Sequence, residues 1–127
     1  MAEVIRSGTF DRWLRKLKDP RARARVLVRI NRLAAGNPGD VKPVGRGVSE
    51  LRISYGPGYR IYYLQDGDRV ILLLTGGDKS SQDADIRAAH QIADVRDGDE
   101  AARAVGQFQI RQAVQRRSGL GDQFDTP

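Results

Sequence analysis

Two tight turns between residues 50 and 79 limit what this chain can fold into, because together they bring three successive strands side by side. Residues 66–67 (Asp-Gly) lie between two β-rich runs and predict a two-residue type I′ hairpin, whose central residues both need positive φ. Residues 56–58 (Gly-Pro-Gly) cannot continue a strand ladder, since proline has no N–H donor and glycine favours irregular backbone. This stretch therefore predicts three antiparallel strands.

The same turns predict which residues face one another, with Tyr55 and Tyr59 closing the first hairpin. The predicted pairs are Arg52 with Tyr62, Ile53 with Ile61, Ser54 with Arg60, Gln65 with Asp68, Tyr62 with Ile71, and Arg60 with Leu73. Side chains alternate between the two faces of a sheet, so one face is apolar and the other polar. The apolar face carries Leu51, Ile53, Tyr55, Tyr59, Ile61, Tyr63, Val70, Leu72 and Leu74. The polar face carries Arg52, Ser54, Arg60 and Tyr62.

Cations are expected to gather at one edge of the polar face. The last strand ends beside residues 58–60, which brings Lys79 toward Arg60, with Glu50 as the only acid expected nearby. Like charges placed together on a sheet cost stability, so this cluster favours an anionic partner. The alternative is an ordinary solvated sheet face, since natural surfaces mix charges freely.

Composition narrows the class of protein. With 127 residues, no cysteine and one histidine, the chain predicts a single domain without disulfides, metal or other cofactors. No apolar run is long enough to span a bilayer and no apolar signal core follows the first basic residues, so we expect a soluble cytoplasmic protein with no membrane partner. The net charge is +6, and residues 1–35 hold ten Lys or Arg against three acids. This charge favours work against phosphate or an acidic partner.

The remaining pattern predicts the order β-α-α-β-β-β-α, an α+β domain over residues 1–95 with an N-terminal helical hairpin and a C-terminal helix on an antiparallel sheet. Ser7 or Thr9 is a candidate N-cap for the first helix, and Pro20 suits the first turn of the second. Ser80 or Ser81 is the candidate cap of a third helix over residues 82–95. Residues 96–127 form an extension, marginally helical over 101–117 and disordered over 118–127.

The helical hairpin has an apolar stripe and a basic outer face. The stripe of the second helix comprises Val26, Leu27, Ile30 and Leu33. The basic face comprises Arg12, Arg15, Lys16, Arg21, Arg25, Arg29 and Arg32. It is either a solvated face or an electrostatic guide for RNA.

Known catalytic motifs do not fit the chain. Residues 76–80 (GGDKS) lack the G-x-x-x-x-G-K-[ST] pattern of a phosphate-binding loop, because Asp78 separates glycine from lysine. A glycine-rich strand leading into a helix N-terminus still suits an anion, because free N–H groups and the helix dipole favour phosphate. His90 has no evident catalytic partner and is interpreted as a surface or packing residue.

Four segments carry a resemblance to a known family: NPGDVKPVG (37–45), SELRI (49–53), YGPGYRIYY (55–63) and LTGGDKSSQ (74–82). Together they resemble the addiction-module killer proteins of the RelE/HigB-like type II toxins, in the RelE/ParE superfamily, over residues 2–95. The resemblance implies a fold similar to small microbial ribonucleases. It also implies a metal-free endoribonuclease that cuts mRNA on the ribosome by attack of the ribose 2′-OH on its own phosphate. Expected partners are a cognate helix-turn-helix antitoxin, mRNA and the ribosome, with operator DNA reached only through the antitoxin.

The resemblance also implies roles for individual residues. Arg60 corresponds to the family's phosphate-binding arginine, Lys79 to a catalytic basic residue after the strand-end glycine, and Arg52 to a basic strand position. Further candidates for RNA binding are Lys42, Arg46, Ser54 and Ser80. Relatives place a tyrosine or histidine near the C-terminus, whereas residues 83–86 here read DADI, so the general acid and base stay unassigned. Tyr62 is the substitute candidate for stacking or proton transfer.

Two other functions fit the same residues. A toxin of this fold can inhibit DNA gyrase without cutting RNA, in which case the helical hairpin would carry the function. The chain could also be a non-catalytic basic module that binds nucleic acid, with steeply salt-dependent binding and no cleavage product.

Overall fold

A computed structural model describes residues 1–99, 118–119 and 122–123, with the side chains of 96–99 excluded. Its strands are β1 (Glu3–Arg6), β2 (Val41–Pro43), β3 (Ser49–Ile53), β4 (Tyr59–Asp66), β5 (Val70–Asp78), β6 (Ser118–Gly119) and β7 (Asp122–Gln123). Its helices are α1 (Gly8–Lys16), α2 (Pro20–Ala34) and α3 (Gln82–Asp99), the last preceded by a 3₁₀ turn at Lys79–Ser81. The predicted α+β class is confirmed, and the predicted order lacked only β2 within residues 1–99.

The main sheet has five strands in the order β1-β5-β4-β3-β2. β1 runs parallel to β5, and the other neighbouring pairs are antiparallel. Residues 41–43 were not predicted to be a strand, but Val41 pairs with Leu51 and Pro43 with Ser49, so they form an edge strand. Proline is tolerated there because an edge strand leaves one row of N–H groups unpaired.

Short polar side chains begin all three helices. Ser7 caps α1 as predicted, accepting from the Phe10 N–H at 3.0 Å. Asp19 caps α2, whose first turn contains Pro20 as predicted. The predicted serine cap before α3 is wrong, because Asp78 accepts from the Ser80 N–H at 2.8 Å and starts the 3₁₀ turn. The carboxylate lies two residues before Ser80 and three before Ser81.

Both predicted hairpin registers are wrong, by different amounts. In the first hairpin Arg52 lies opposite Arg60 rather than Tyr62, because the connection between β3 and β4 is two residues longer than expected. In the second, Asp66 pairs with Val70 around a three-residue turn. A bulge between Tyr62 and Tyr63 shifts the pairing by one more residue.

These shifts decide which residues of β5 enter the main core. A shift of two keeps every side chain on its face, so Leu51, Ile53, Ile61 and Tyr63 lie in the core as predicted. The odd shift in the second hairpin brings Ile71 and Leu73 into this core in place of Val70, Leu72 and Leu74. From the helices the core receives Phe10, Leu14, Val26, Ile30, Leu33 and Ala34. Leu27 of the predicted stripe is instead 40% exposed.

Gly76 allows the Trp13 indole to lie directly on β5. A Cβ at this position would overlap the indole ring. Trp13 also contacts Phe10 and Tyr59, with ring centroids 5.7 and 6.3 Å away, so it cannot move aside freely. The glycine is therefore required by packing.

Gly76→Ala is expected to lower the free energy of unfolding by about 1–3 kcal/mol, the usual cost of overpacking a core. Urea unfolding at neutral pH measures it. Gly8→Ala is the matched control, because its Cβ would lie 3.4 Å from Arg12 Nη1, an ordinary contact. Equal stability of Gly76→Ala and the parent protein would contradict the packing argument.

The chain divides into two compact units, residues 1–91 and residues 92–127. Within the second unit, β6 and β7 pair antiparallel. The predicted disorder of residues 118–127 stays a prediction. The helix predicted over 101–117 lies outside the described residues. No helix in the described part of the chain is both long and apolar enough to cross a membrane.

Candidate functional site

The predicted convergence of Arg60 and Lys79 is confirmed. Tyr59 pairs with Asp78, which sets the end of β5 beside the start of β4. Arg60 Nη1 donates to the Gly58 carbonyl at 3.0 Å. A Cβ on Gly58 would lie 3.3 Å from Arg60 Nη1 and 3.6 Å from Lys79 Cβ, so both side chains flank this glycine. Gly58 has φ +80°, which favours glycine, and the space of a residue-58 side chain is bordered by the Arg60 guanidinium and the Lys79 Cβ.

Glu50 contacts several residues of the site, although the sequence had indicated only that it is an acid near the cations. Its side chain is fully buried, and its Oε2 accepts from Tyr62 Oη at 2.9 Å and from Gln82 Nε2 at 2.8 Å. Arg60 Nε lies 3.8 Å from the same oxygen, and the Arg60 side chain is only 13% exposed. Glu50 of β3 therefore links β4, through Tyr62 and Arg60, to the start of α3, through Gln82. The correct register would have revealed it, since Glu50 lies opposite Tyr62.

Tyr62 is on the predicted face but is not available to RNA. It is completely buried. Burial first, and then the hydrogen bond to Glu50, raise the pKa of the Tyr62 hydroxyl far above its ordinary value. A buried phenol that keeps its proton can neither stack on a base nor transfer a proton, so the predicted catalytic role of Tyr62 is wrong.

Tyr62→Phe is expected to lower the free energy of unfolding at pH 7 by about 1.5–3 kcal/mol, the range for a hydrogen bond to a charged group. A raised pKa in the folded state means that this stabilisation is complete below the ordinary tyrosine pKa of about 10 and is lost as the pH rises further. The stability difference between the two proteins should therefore narrow above pH 10 in urea unfolding. A stability difference that stays constant with pH would contradict a stabilising hydrogen bond from the Tyr62 hydroxyl to Glu50.

Arg52 lies opposite Arg60, but its charge is already paired. Its Nη2 and Nε lie 2.8 and 3.2 Å from Asp40 Oδ1. The hydrogen bond lowers the pKa of the Asp40 carboxyl and raises the pKa of the Arg52 guanidinium. Arg29 Nη1 donates to the Arg52 carbonyl at 2.7 Å. The expectation that Glu50 is the only acid near these cations is thus wrong.

The four additional RNA-binding candidates lie in different places. Lys42 is exposed on β2 opposite Glu50. Arg46, with φ +56°, is exposed in the turn between β2 and β3. Ser80 is exposed in the 3₁₀ turn, where its Oγ donates to Asp78 Oδ1 at 2.5 Å. Of these candidates, Ser80 directly follows Lys79, and Ser54 contributes to the separate groove described below.

A carboxylate of α3 lies over the glycine that follows Gly76. Asp85 Oδ2 occupies the space that a Cβ on Gly77 would need, and it accepts from Ser81 Oγ at 2.5 Å. Gly77 is the register partner of Arg60. The successive glycines of β5 therefore accommodate an indole and a carboxylate. The sequence could have indicated this hydrogen bond, because residues four apart, such as Ser81 and Asp85, lie on one face of a helix.

Comparison with known proteins places the chain in a family. A family model described as phage-derived protein Gp49-like (DUF891) matches residues 12–97, more than half of the sequence. The chain belongs to the Gp49-like family. An uncharacterized protein of Haemophilus influenzae is 52% identical to this Gp49-like protein over 85 residues, which cover 67% of this chain and 86% of that protein.

A solved structure shares the fold of this Gp49-like protein. It is a chain in the crystal structure of the toxin–antitoxin complex RelBE2 from Mycobacterium tuberculosis, with a TM-score of 0.50 and 26% sequence identity. The alignment covers 61% of the Gp49-like chain and 98% of that chain. This match confirms the predicted RelE-like fold, whereas the HigB branch stays a prediction.

A second basic feature of the Gp49-like protein is a groove of about 470 Å³ between α2 and the end of β3. It is lined by Arg21, Ala24, Arg25, Val28, Arg29, Arg32, Ile53 and Ser54. Two of its arginines are held in place: the Arg25 guanidinium lies 4.6 Å from the Tyr55 ring centroid, and Arg29 donates to the carbonyls of Arg52 and Pro38. The groove is thus lined by four arginines together with the apolar Ala24, Val28 and Ile53.

Proposed function

We propose that this Gp49-like protein is the toxin of a type II toxin–antitoxin system and that it cuts mRNA on the ribosome as a metal-independent endoribonuclease. The observation that supports this most is the pair Arg60 and Lys79 flanking Gly58. The likeness to a chain of a toxin–antitoxin complex supports the toxin role. We place the activity in residues 1–95 and in the cytoplasm, where translated mRNA is found, and give residues 96–127 no part in the chemistry.

The proposed reaction is a transesterification. The ribose 2′-oxygen forms a bond to phosphorus, the bond from phosphorus to the 5′-oxygen breaks, and the products are a 2′,3′-cyclic phosphate and a 5′-OH. Extra negative charge develops on the phosphate oxygens, and fixed cations stabilise it. Glu50 and the Gly58 carbonyl hold the Arg60 guanidinium before RNA arrives, while Lys79 is exposed and supplies the second charge. Arg52 is left out of the phosphate site because Asp40 already binds it.

The proposed partner is a cognate helix-turn-helix antitoxin, which alone would contact operator DNA. An acidic segment of this antitoxin would find complementary charge in the arginines that line the α2 groove, beside apolar side chains. The basic helices therefore have a function distinct from catalysis in this proposal.

Induction of the protein in growing cells, followed by primer extension on translated mRNA, tests the proposal. New 5′ ends within coding sequences, absent after induction of Lys79→Ala, are the expected result. Accumulation of gyrase–DNA cleavage complexes with intact mRNA would support the gyrase alternative instead. Salt-dependent RNA binding without any cleavage product would identify a non-catalytic module.

A further inference from the structure

The proposed reaction needs a proton acceptor for the ribose 2′-OH, and the sequence alone left that role unassigned. Among the described residues near Arg60 and Lys79, two carboxylates are already engaged: Asp40 binds Arg52, and Asp78 accepts from the Ser80 N–H and Oγ. Two others require consideration. Glu50 is fully buried and its Oε2 is already bound by Tyr62 and Gln82, so RNA cannot reach it. Asp85 is half-buried at the start of α3, close to the exposed Lys79–Ser81 turn.

The position of the Asp85 carboxylate follows from the sheet register. Gly77 lies directly opposite Arg60, and the side chains of such opposite residues project from the same face, with Cβ atoms about 4.5–5.5 Å apart. Asp85 Oδ2 occupies the space of a residue-77 side chain. The carboxylate therefore lies beside the base of the Arg60 side chain, on the face that carries the proposed phosphate site.

One hydrogen bond and one electrostatic effect support this placement of the Asp85 carboxylate. Ser81 Oγ donates to Asp85 Oδ2 at 2.5 Å and orients the carboxylate. The pKa of buried Tyr62 is raised in part by the Asp85 charge and lowered in part by the Arg60 charge, which places both charges near the same phenol. Among the described residues, Arg60 lies opposite the glycine that Asp85 covers, and Tyr62 feels the Asp85 charge and binds Glu50. Asp78 and Lys79 begin the turn that precedes Asp85.

We propose that Asp85 is the general base of the RNA cleavage reaction, an assignment that depends on the function proposed above. The Asp85 carboxylate takes the proton from the 2′-OH while the 2′-oxygen bonds to phosphorus. The phosphorus–5′-oxygen bond breaks, and the departing 5′-oxygen takes a proton from solvent water. Arg60 and Lys79 hold the phosphate throughout.

Asp85→Asn tests the assignment, because asparagine keeps the shape of the side chain and can still accept the Ser81 hydrogen bond. Purified wild-type and variant proteins are compared on ribosomes programmed with a defined mRNA. We expect cleavage about 10²- to 10⁴-fold slower, the usual contribution of a general base, with RNA binding unchanged. The wild-type rate should rise with pH at acidic pH and then level off. The residual rate of the variant should instead rise continuously with hydroxide concentration.

Asp83→Asn is the matched control, since Asp83 is an exposed acid in the same helical turn and should keep the wild-type rate and pH profile. Asp85→Glu moves the carboxylate by one methylene and should keep the acidic limb of the profile at a reduced rate, which tests the role independently if Asp85→Asn fails to fold. If Asp85→Asn cleaves at the wild-type rate, or if the rate of Asp85→Glu no longer rises with pH at acidic pH, Asp85 is not the general base. Neither result would contradict the proposed function. A wild-type protein that binds RNA but leaves it intact would overturn the proposed function as well.

Discussion

Lys79→Ala is expected to slow mRNA cleavage about 10²- to 10³-fold, the usual effect of removing one positioned charge that stabilises a transition state. Lys79 is exposed, and the hydrogen bonds that begin α3 are made by its neighbours Asp78 and Ser80. The variant should therefore unfold at the same urea concentration as the wild type. Loss of growth inhibition in cells and of new mRNA 5′ ends in primer extension would measure the effect.

Lys18→Ala is the control for this variant, because Lys18 is an equally exposed lysine in the link between α1 and α2. It removes the same net charge from outside the proposed site. If both variants lose the same fraction of activity, general charge attraction to RNA explains the effect. If neither loses activity, Lys79 has no part in cleavage.

Arg60→Ala is expected to abolish cleavage and also to destabilise the protein by about 3–5 kcal/mol, the cost of leaving one member of a buried ion pair without its partner. The remaining member is Glu50, which is fully buried. This result separates Arg60 from Lys79, since both variants lose activity but only Arg60→Ala loses stability. Urea unfolding and cleavage of the same preparations measure the two effects.

A double variant, Glu50→Gln with Arg60→Gln, is the control for charge burial. Removing both charges should recover most of the stability that Arg60→Ala loses, because no isolated charge remains buried. It should not recover cleavage, because the phosphate would still lack the guanidinium. Stability as low as that of Arg60→Ala would contradict the ion-pair explanation, and full cleavage would remove Arg60 from the site.

Local features of the sequence were sufficient for much of the fold. Ser7 and Asp19 begin helices because short polar side chains can accept hydrogen bonds from nearby N–H groups, and residues close in sequence complete those interactions. The approach of Lys79 to Arg60 was also predictable. It depends on the end of β5 returning beside the start of β4, and this holds although the pairing at Arg60 differs from the predicted one by four residues.

The partners of the site residues were not predictable in this way. Ser54 was expected beside Arg60 and lines the α2 groove instead. Arg52 was expected to be available and is bound to Asp40. These outcomes depend on the length of one turn and on a loop that follows α2, so interactions between distant segments decide them.

The sequence by itself determined the element order apart from β2, the starts of the first two helices and the end of the sheet where Lys79 approaches Arg60, because those features follow from local backbone preferences and alternation. Tertiary structure alone decided that Tyr62 is buried on Glu50, that Arg60 is held by that carboxylate, and that Asp85 lies over Gly77. The physical reason is register. A bulge or one additional turn residue changes every cross-strand neighbour beyond it, but its local cost in free energy is small. Packing across the whole sheet therefore selects the final pairing.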